Sequence, residues 1–102
     1  MVGGRDRMTY DIASMENLLK SARRLKIEET ITGKKNEELT FLNRCLDLLE
    51  PHEKDIIKRT YEEGVSMRKY SLYSGFSRNF IAKTRKETVA LLVRFFNLKF
   101  AE

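Results

Sequence analysis

The chain has 102 residues, the usual size of one domain, so we expect a single hydrophobic core and no second domain. Hydrophobic residues make up 41% and charged residues 34% of it, which is too apolar for a disordered tail and too evenly charged for a membrane-spanning segment. Lysine and arginine number 20 against 15 acidic residues. The resulting net charge of +5 makes a polyanion the first partner to consider.

Counts of particular residues indicate a fold class and a compartment. One proline and five glycines among many Leu, Lys, Glu and Arg residues are typical of an all-α protein. Cys45 is the single cysteine and residues 1–8 lack the apolar segment of a secretion signal, so we expect the cytoplasm. Cys45 and His52 do not make a closed zinc site, and no nucleophile–base pair or phosphate loop is recognisable. We therefore expect no metal, no cofactor and no enzymatic activity.

The N-terminal third predicts an arm, a helix and a loop. Residues 1–8 carry no hydrophobic periodicity and predict a flexible arm. Apolar residues recur at helical spacing over residues 10–27, which predicts an amphipathic helix. Threonines, a glycine and charged residues over 28–35 predict a loop. We assign residues 9–35 to this helix and loop.

The middle of the chain predicts two further helices. Asn36 is a good N-cap, and it precedes a leucine stripe formed by Leu39, Leu42, Leu46 and Leu49. Pro51 cannot continue that helix easily but suits the first position of the next one. That third helix is expected over residues 51–63, and Gly64 supplies the left-handed residue that ends it.

Two serines mark the starts of the last two helices. Ser66 predicts the N-cap of a short helix over residues 67–74, which Gly75 ends. Ser77 predicts the N-cap of a second helix that follows at once. Each serine is preceded by an apolar residue that can pack onto the first helical turn as a hydrophobic staple. Two capped helices around a short turn with a glycine are the layout of a helix-turn-helix.

The positive charge belongs to the C-terminal half. Residues 1–51 contain nine basic and nine acidic residues, whereas residues 52–102 contain eleven and six, a net charge of +5. Residues 65–94 contain seven basic residues against the single acid Glu87, a net charge of +6. A duplex phosphate backbone would suit such a surface.

The last helix predicts specific DNA contacts. Its apolar side is formed by Ile81, Thr84, Thr88, Leu91 or Leu92, and Phe95. Because the first turns of a recognition helix reach base edges, we predict base contacts by Arg78, Asn79 and Lys83. We predict backbone contacts by Ser66, Arg68, Lys69, Ser77, Arg85 and Lys86. Phe80 borders this surface and has two interpretations, contact with a thymine methyl group or burial against the preceding helix.

The run LLEPHEKDIIKRTYEEGVSMRKYSLYSGFSRNFIAKTRKETVALL, about 45 residues, resembles region 4 of bacterial sigma factors. The shared pattern consists of leucines, a proline that starts a helix, a tyrosine-acid-glycine sequence that ends it, and the helix-turn-helix. The matching positions are Leu48, Leu49, Pro51, Ile56, Tyr61, Gly64, Ser66, Gly75, Phe76, Ser77, Arg78 and Ile81. Position 78 matches an arginine that contacts bases in that family. The resemblance implies a helix-turn-helix DNA-binding domain, which we assign to residues 36–102.

The length excludes a whole sigma factor, since no segment resembles the sigma region that reads the −10 element. The chain is instead similar to small sigma-like regulators encoded by phages, including late-gene activators. We therefore expect a sequence-specific transcriptional regulator, of phage or prophage origin, that binds double-stranded DNA. Two alternatives stay open: a sigma-mimicking protein that binds RNA polymerase or a sigma factor, and a phage DNA-packaging subunit.

The apolar C-terminal residues have two explanations. They are Leu91, Leu92, Phe95, Phe96, Leu98 and Phe100. We expect them to pack against the N-terminal helix and close the domain. The rival explanation is a homodimer seam, for which Met15, Leu18, Ala22 and Leu25 on the N-terminal helix have heptad-like spacing. We expect Cys45 to be buried as a small hydrophobic residue and His52 to be exposed.

Overall fold

The computed structural model describes residues 9–100, which form five α-helices and one π-helical turn. The α-helices are α1 (Ile12–Thr32), α2 (Glu37–Asp47), α3 (Pro51–Ile57), α4 (Met67–Ser74) and α5 (Arg78–Phe100). The π-helical turn, Lys58–Glu62, continues α3. The described residues contain no strand, which confirms the all-α fold class. The arm predicted over residues 1–8 lies outside the described range.

The first helix is longer than predicted, and the predicted loop over residues 28–35 is wrong for residues 28–32. The hydroxyls of Thr30 and Thr32 donate to the carbonyl oxygens four residues earlier, at 3.0 and 2.8 Å, so both side chains are satisfied inside the helix. Gly33 then adopts φ 74° as the left-handed residue that ends α1. The loop between α1 and α2 is therefore confined to residues 33–36.

The predicted caps of the middle helices are confirmed. The Asn36 side chain accepts a hydrogen bond from the Leu39 amide at 2.9 Å, and Pro51 occupies the first turn of α3. The helix predicted over residues 51–63 ends at Gly64, which has φ 74°. Its second half is the π-helical turn, where the Glu63 amide donates to the Lys58 carbonyl at 3.0 Å. Nothing in the sequence predicted this wider turn.

The main core lies between α1, α2 and α5, with the π-helical turn against it. Its buried residues are Tyr10, Met15, Leu19, Ala22, Leu39, Leu42, Cys45, Leu46, Ile57, Tyr61, Val89, Leu92 and Phe96. The C-terminal apolar residues therefore pack against α1, as predicted, although Leu98 is exposed. Val89 and Phe96, rather than Phe95, lie on the buried side of α5. Met15 and Ala22 are inside this core, so the predicted α1 dimer seam is largely occupied within one chain.

A second, smaller core fixes α4. Ile56, Tyr70 and Ile81 are buried together, with Val65, Met67 and Phe76 packed against them. Both predicted hydrophobic staples lie in this cluster, since each apolar residue before a serine cap joins the buried residue of the following turn. The small core therefore holds the short helix α4 between α3 and the start of α5. No helix among residues 9–100 is long and apolar enough to cross a membrane.

Candidate nucleic-acid interface

Residues 75–77 connect α4 to α5 and set where α5 begins. Gly75 has φ 84°, a left-handed conformation that side chains disfavour. The Ser71 hydroxyl donates to the Phe76 carbonyl oxygen at 2.6 Å, and the Phe76 amide donates to the Ser74 hydroxyl oxygen at 3.2 Å. These bonds satisfy the polar groups of the connection locally and define the direction in which α5 leaves it.

Both serines predicted as caps have that role. The Ser66 hydroxyl oxygen accepts from the Lys69 amide, and the Ser77 hydroxyl oxygen accepts from the Phe80 amide, each at 3.1 Å. Both serines are exposed. Each serine lies at the N-terminus of its helix, where first-turn amides and the helix dipole stabilise an anion. The two helix starts are therefore suited to contact phosphate oxygens.

A buried tyrosine anchors α4 to the helix before it. The Tyr70 hydroxyl donates to Asp55 Oδ2 at 2.5 Å, and Asp55 Oδ1 lies 3.3 Å from Arg59 Nε. Burial, followed by the hydrogen bond to Asp55, raises the pKa of Tyr70, so this hydroxyl keeps its proton. The position of α4 is thereby fixed by one partly buried hydrogen bond as well as by the small core.

The three predicted base-contacting residues lie exposed on the first two turns of α5. Arg78, Asn79 and Lys83 all face solvent, while Ile81 and Thr84 are buried on the opposite side of the helix. Lys86 extends this exposed side by one turn, and Arg68 and Lys69 are exposed at the start of α4. We call the five basic residues the basic surface: Arg68, Lys69, Arg78, Lys83 and Lys86. Asn79 lies among those of α5.

The basic surface is free of internal ion pairs. Within residues 9–100, none of its five side chains lies within 4.0 Å of a carboxylate oxygen. The ion pairs of this part of the chain are Arg24–Glu28 at 3.7 Å, Lys54–Asp47 at 2.6 Å, Arg59–Asp55 at 3.3 Å and Arg59–Glu63 at 3.4 Å. The positive charge on α4 and the start of α5 is therefore available to an external anion.

Arg85, predicted as a backbone contact, is partly buried against Tyr61, unlike the exposed residues of the basic surface. Its guanidinium carbon is 4.3 Å from the centre of the Tyr61 ring, and its Nε is buried without a hydrogen-bond partner among the described residues. The Tyr61 hydroxyl in turn donates to Glu16 Oε2 at 2.7 Å. Arg85 thus packs α5 against the π-helical turn. No local sequence pattern predicts this contact, because it depends on how two segments far apart in the chain pack together.

In the structure Phe80 is neither fully buried nor fully exposed. It packs on two neighbouring rings and keeps part of its surface in solvent. Its ring is 39% exposed and stacks on His52, with ring centres 5.9 Å apart and an angle of 29° between the planes. Its other neighbour is Phe76, at 5.0 Å and 41°. His52 is exposed, as predicted, but its contact with Phe80 was missed because 27 residues separate the two in the chain.

Metal binding and the thiol of Cys45 are the remaining features to describe. No group of three or more His, Cys, Asp or Glu side chains among residues 9–100 is placed to hold a metal ion. Cys45 is buried as predicted, and burial raises the pKa of its thiol. No protein-family model, curated protein or solved structure matches the chain. The functional assignment therefore rests on the residues of this chain.

Proposed function

We propose that the protein is a sequence-specific transcriptional regulator that binds double-stranded DNA through a sigma region 4-like helix-turn-helix formed by α4 and α5. The observation that carries this proposal is the basic surface, whose five exposed side chains lie on the first turn of α4 and the first three turns of α5, the two helices that begin at the serine caps. Unpaired like charges repel one another, so a protein gains from such a surface when an anion binds it. A DNA duplex is the anion whose groove admits the exposed side of α5.

The proposed contacts follow from where each side chain lies. Arg78 and Asn79, at the start of α5, read guanine and adenine in the major groove, with Lys83 one turn further in. Backbone phosphates are contacted by Ser66, Arg68, Lys69, Ser77 and Lys86. Arg85 contributes by holding α5 against Tyr61, which orients the exposed side of the helix.

A selection experiment followed by binding measurements tests the proposal. Duplexes bound by the protein are selected from random DNA, and affinities for a selected and a scrambled duplex are measured by fluorescence anisotropy. Replacing a base-reading arginine costs about 1–3 kcal/mol on the correct site. We therefore expect Arg78→Ala to weaken binding to the selected duplex by that amount and binding to the scrambled duplex only slightly.

The control for this variant is Arg24→Ala, which removes an exposed arginine of α1 that pairs with Glu28. It should bind both duplexes as the wild type does. Equal losses on both duplexes for Arg78→Ala would refute its base-reading role. Failure to select any duplex would refute the proposed function itself.

One observation favours a second candidate, a sigma-mimicking protein that binds RNA polymerase or a sigma factor. Leu72 and Tyr73 are both exposed on α4, next to the basic residues of its first turn. Adjacent exposed apolar side chains suit a protein contact. Binding of the purified polymerase or sigma factor without binding of any duplex, and its loss in Leu72→Ala, would favour this candidate.

A further inference from the structure

We propose that Phe80 is a specificity-determining residue that contacts the C5-methyl group of a thymine in the major groove. This inference rests on the proposed function, because it requires that α5 lies in the groove. It adds an apolar contact to the polar contacts assigned to Arg78, Asn79 and Lys83. It also gives a role to His52, which the polar contacts leave without one.

The position of Phe80 is the first observation. Phe80 lies in the first turn of α5, directly after Asn79, and keeps 39% of its surface exposed. The next residue, Ile81, is fully buried in the small core. The ring therefore stands at the edge between the core and the exposed polar side of the helix, within one turn of Asn79 and Lys83.

The support of the ring is the second and more informative observation. Exposed apolar residues are common on protein surfaces, so exposure alone has no functional meaning. Phe80, however, is held between His52 from the first turn of α3 and Phe76 from the connection before α5. His52 and Phe76 are themselves 6.3 Å apart, which makes a cluster of three rings from three segments. A ring fixed in this way loses little conformational entropy when a ligand covers its free side.

The chemistry of the major groove identifies the group that would cover the free side of the Phe80 ring. Thymine is the base that carries a methyl group on the major-groove edge, and phenylalanine is among the side chains that contact it. Asn79 is suited to pair with adenine, whose partner base is thymine. An A·T-containing site would therefore present a methyl group close to the base that the neighbouring residue reads.

Removing single methyl groups from the DNA tests the proposal without altering the protein. Each thymidine of the selected duplex is replaced in turn by deoxyuridine, which lacks the methyl group and keeps the same hydrogen-bonding groups. Burying one such group favours binding by about fourfold. We expect a loss of this size at one or two positions and no change at the others.

Protein variants then show whether Phe80 makes the contact. Phe80→Ala should bind the thymidine and deoxyuridine duplexes equally at the sensitive positions. His52→Ala should reduce the discrimination, because it removes one support of the ring. Ile31→Ala is the control, since it removes an exposed apolar side chain of α1 and should leave the discrimination unchanged.

Two results would overturn the proposal while the proposed function stands: uniform affinity in the deoxyuridine scan, or unchanged discrimination in a Phe80→Ala variant whose circular dichroism matches the wild type. Absence of binding to any duplex would overturn the proposed function as well. If the Phe80→Ala variant does not fold, the scan with wild-type protein can still overturn the proposal, and His52→Ala tests whether the sensitive methyl group is the one at Phe80.

Discussion

Lys54 and Arg59, on α3 and the π-helical turn, differ in their partners from the residues of the basic surface. Lys54 lies 2.6 Å from Asp47, and Arg59 lies between Asp55 and Glu63 at 3.3 and 3.4 Å. The hydrogen bond from Lys54 lowers the pKa of Asp47, and the one to Asp55 raises the pKa of Arg59. The five residues of the basic surface have no such partner in the described part of the chain.

This difference separates charges that are paired within the fold from charges that are free to contact DNA in the proposed function. Exposed ion pairs contribute little to stability, so the value of Arg59 lies in its link through Asp55 to the buried Tyr70. That link places α4, and α4 with its connection places the start of α5. The segment with ion-paired charges, α3 and the π-helical turn, thereby positions the segments that carry the basic surface. Variants that act on only one region test this division.

The largest expected effect is a loss of stability from a substitution in the main core. Phe96 of α5 is fully buried in the main core against Tyr10 and Phe41, and replacing such a residue by alanine costs about 3–5 kcal/mol through lost burial and the cavity left behind. We expect Phe96→Ala to lower the free energy of unfolding by that amount in urea titrations. Leu98→Ala, at an 81% exposed position of the same helix, should stay within about 0.5 kcal/mol of the wild type. Similar losses for the two variants would contradict the assigned core.

Two glycines with the same backbone conformation give a sharper comparison. Gly75 has φ 84° and Gly33 has φ 74°, and alanine in this region costs about 1–2 kcal/mol. A Cβ atom would meet open space at both positions, so the cost is backbone strain alone. We expect Gly75→Ala and Gly33→Ala to lose similar stability by thermal unfolding. At a temperature where both are folded, only Gly75→Ala should weaken DNA binding, because Gly33 ends α1, away from the basic surface.

A smaller effect is expected from the tyrosines at high pH. Tyr61 and Tyr70 donate to carboxylates, and burial, followed by these hydrogen bonds, raises the pKa of both. A raised pKa in the folded state means that their contribution is present below the ordinary tyrosine pKa of about 10 and is lost as the pH rises above it.

We therefore expect the melting temperature of the wild type to fall above about pH 10. Tyr70→Phe should lose about 1 kcal/mol at pH 7 but decline less at high pH. An identical alkaline decline for Tyr70→Phe and the wild type would show that the Tyr70 hydrogen bond contributes nothing to it.

Much of the fold was predictable, because its signals are local. The cap at Asn36, the start at Pro51 and the end at Gly75 each depend on the conformational preference of a single residue, and the structure has all three. The exposed positions of Arg78, Asn79 and Lys83 followed from helical periodicity alone. Their role in DNA binding remains a prediction.

The features that were not predicted depend on competing local preferences of a segment or on contacts between residues far apart in the chain. The end of α1 was predicted too early because threonines and charges resemble a loop, whereas their hydroxyls are satisfied within the helix. Small errors in helical phase accumulate along the 23 residues of α5, which explains why Phe96 rather than Phe95 lies in the core. The contacts Arg85–Tyr61 and His52–Phe80 join segments far apart in sequence, so no local pattern reports them.

The salt dependence of DNA binding tests the division between paired and unpaired charges most directly. Anisotropy titrations on the selected duplex over about 50 to 300 mM salt would compare the wild type with two double variants, each lacking two positive charges. Lys69→Gln with Lys86→Gln removes two proposed phosphate contacts of the basic surface, and Arg24→Gln with Lys54→Gln removes two paired charges. Each lost phosphate contact flattens the log–log slope by about 0.9 units. We expect a slope flatter by about two units for the first variant and an unchanged slope for the second, and equal slopes for the two variants would contradict the account.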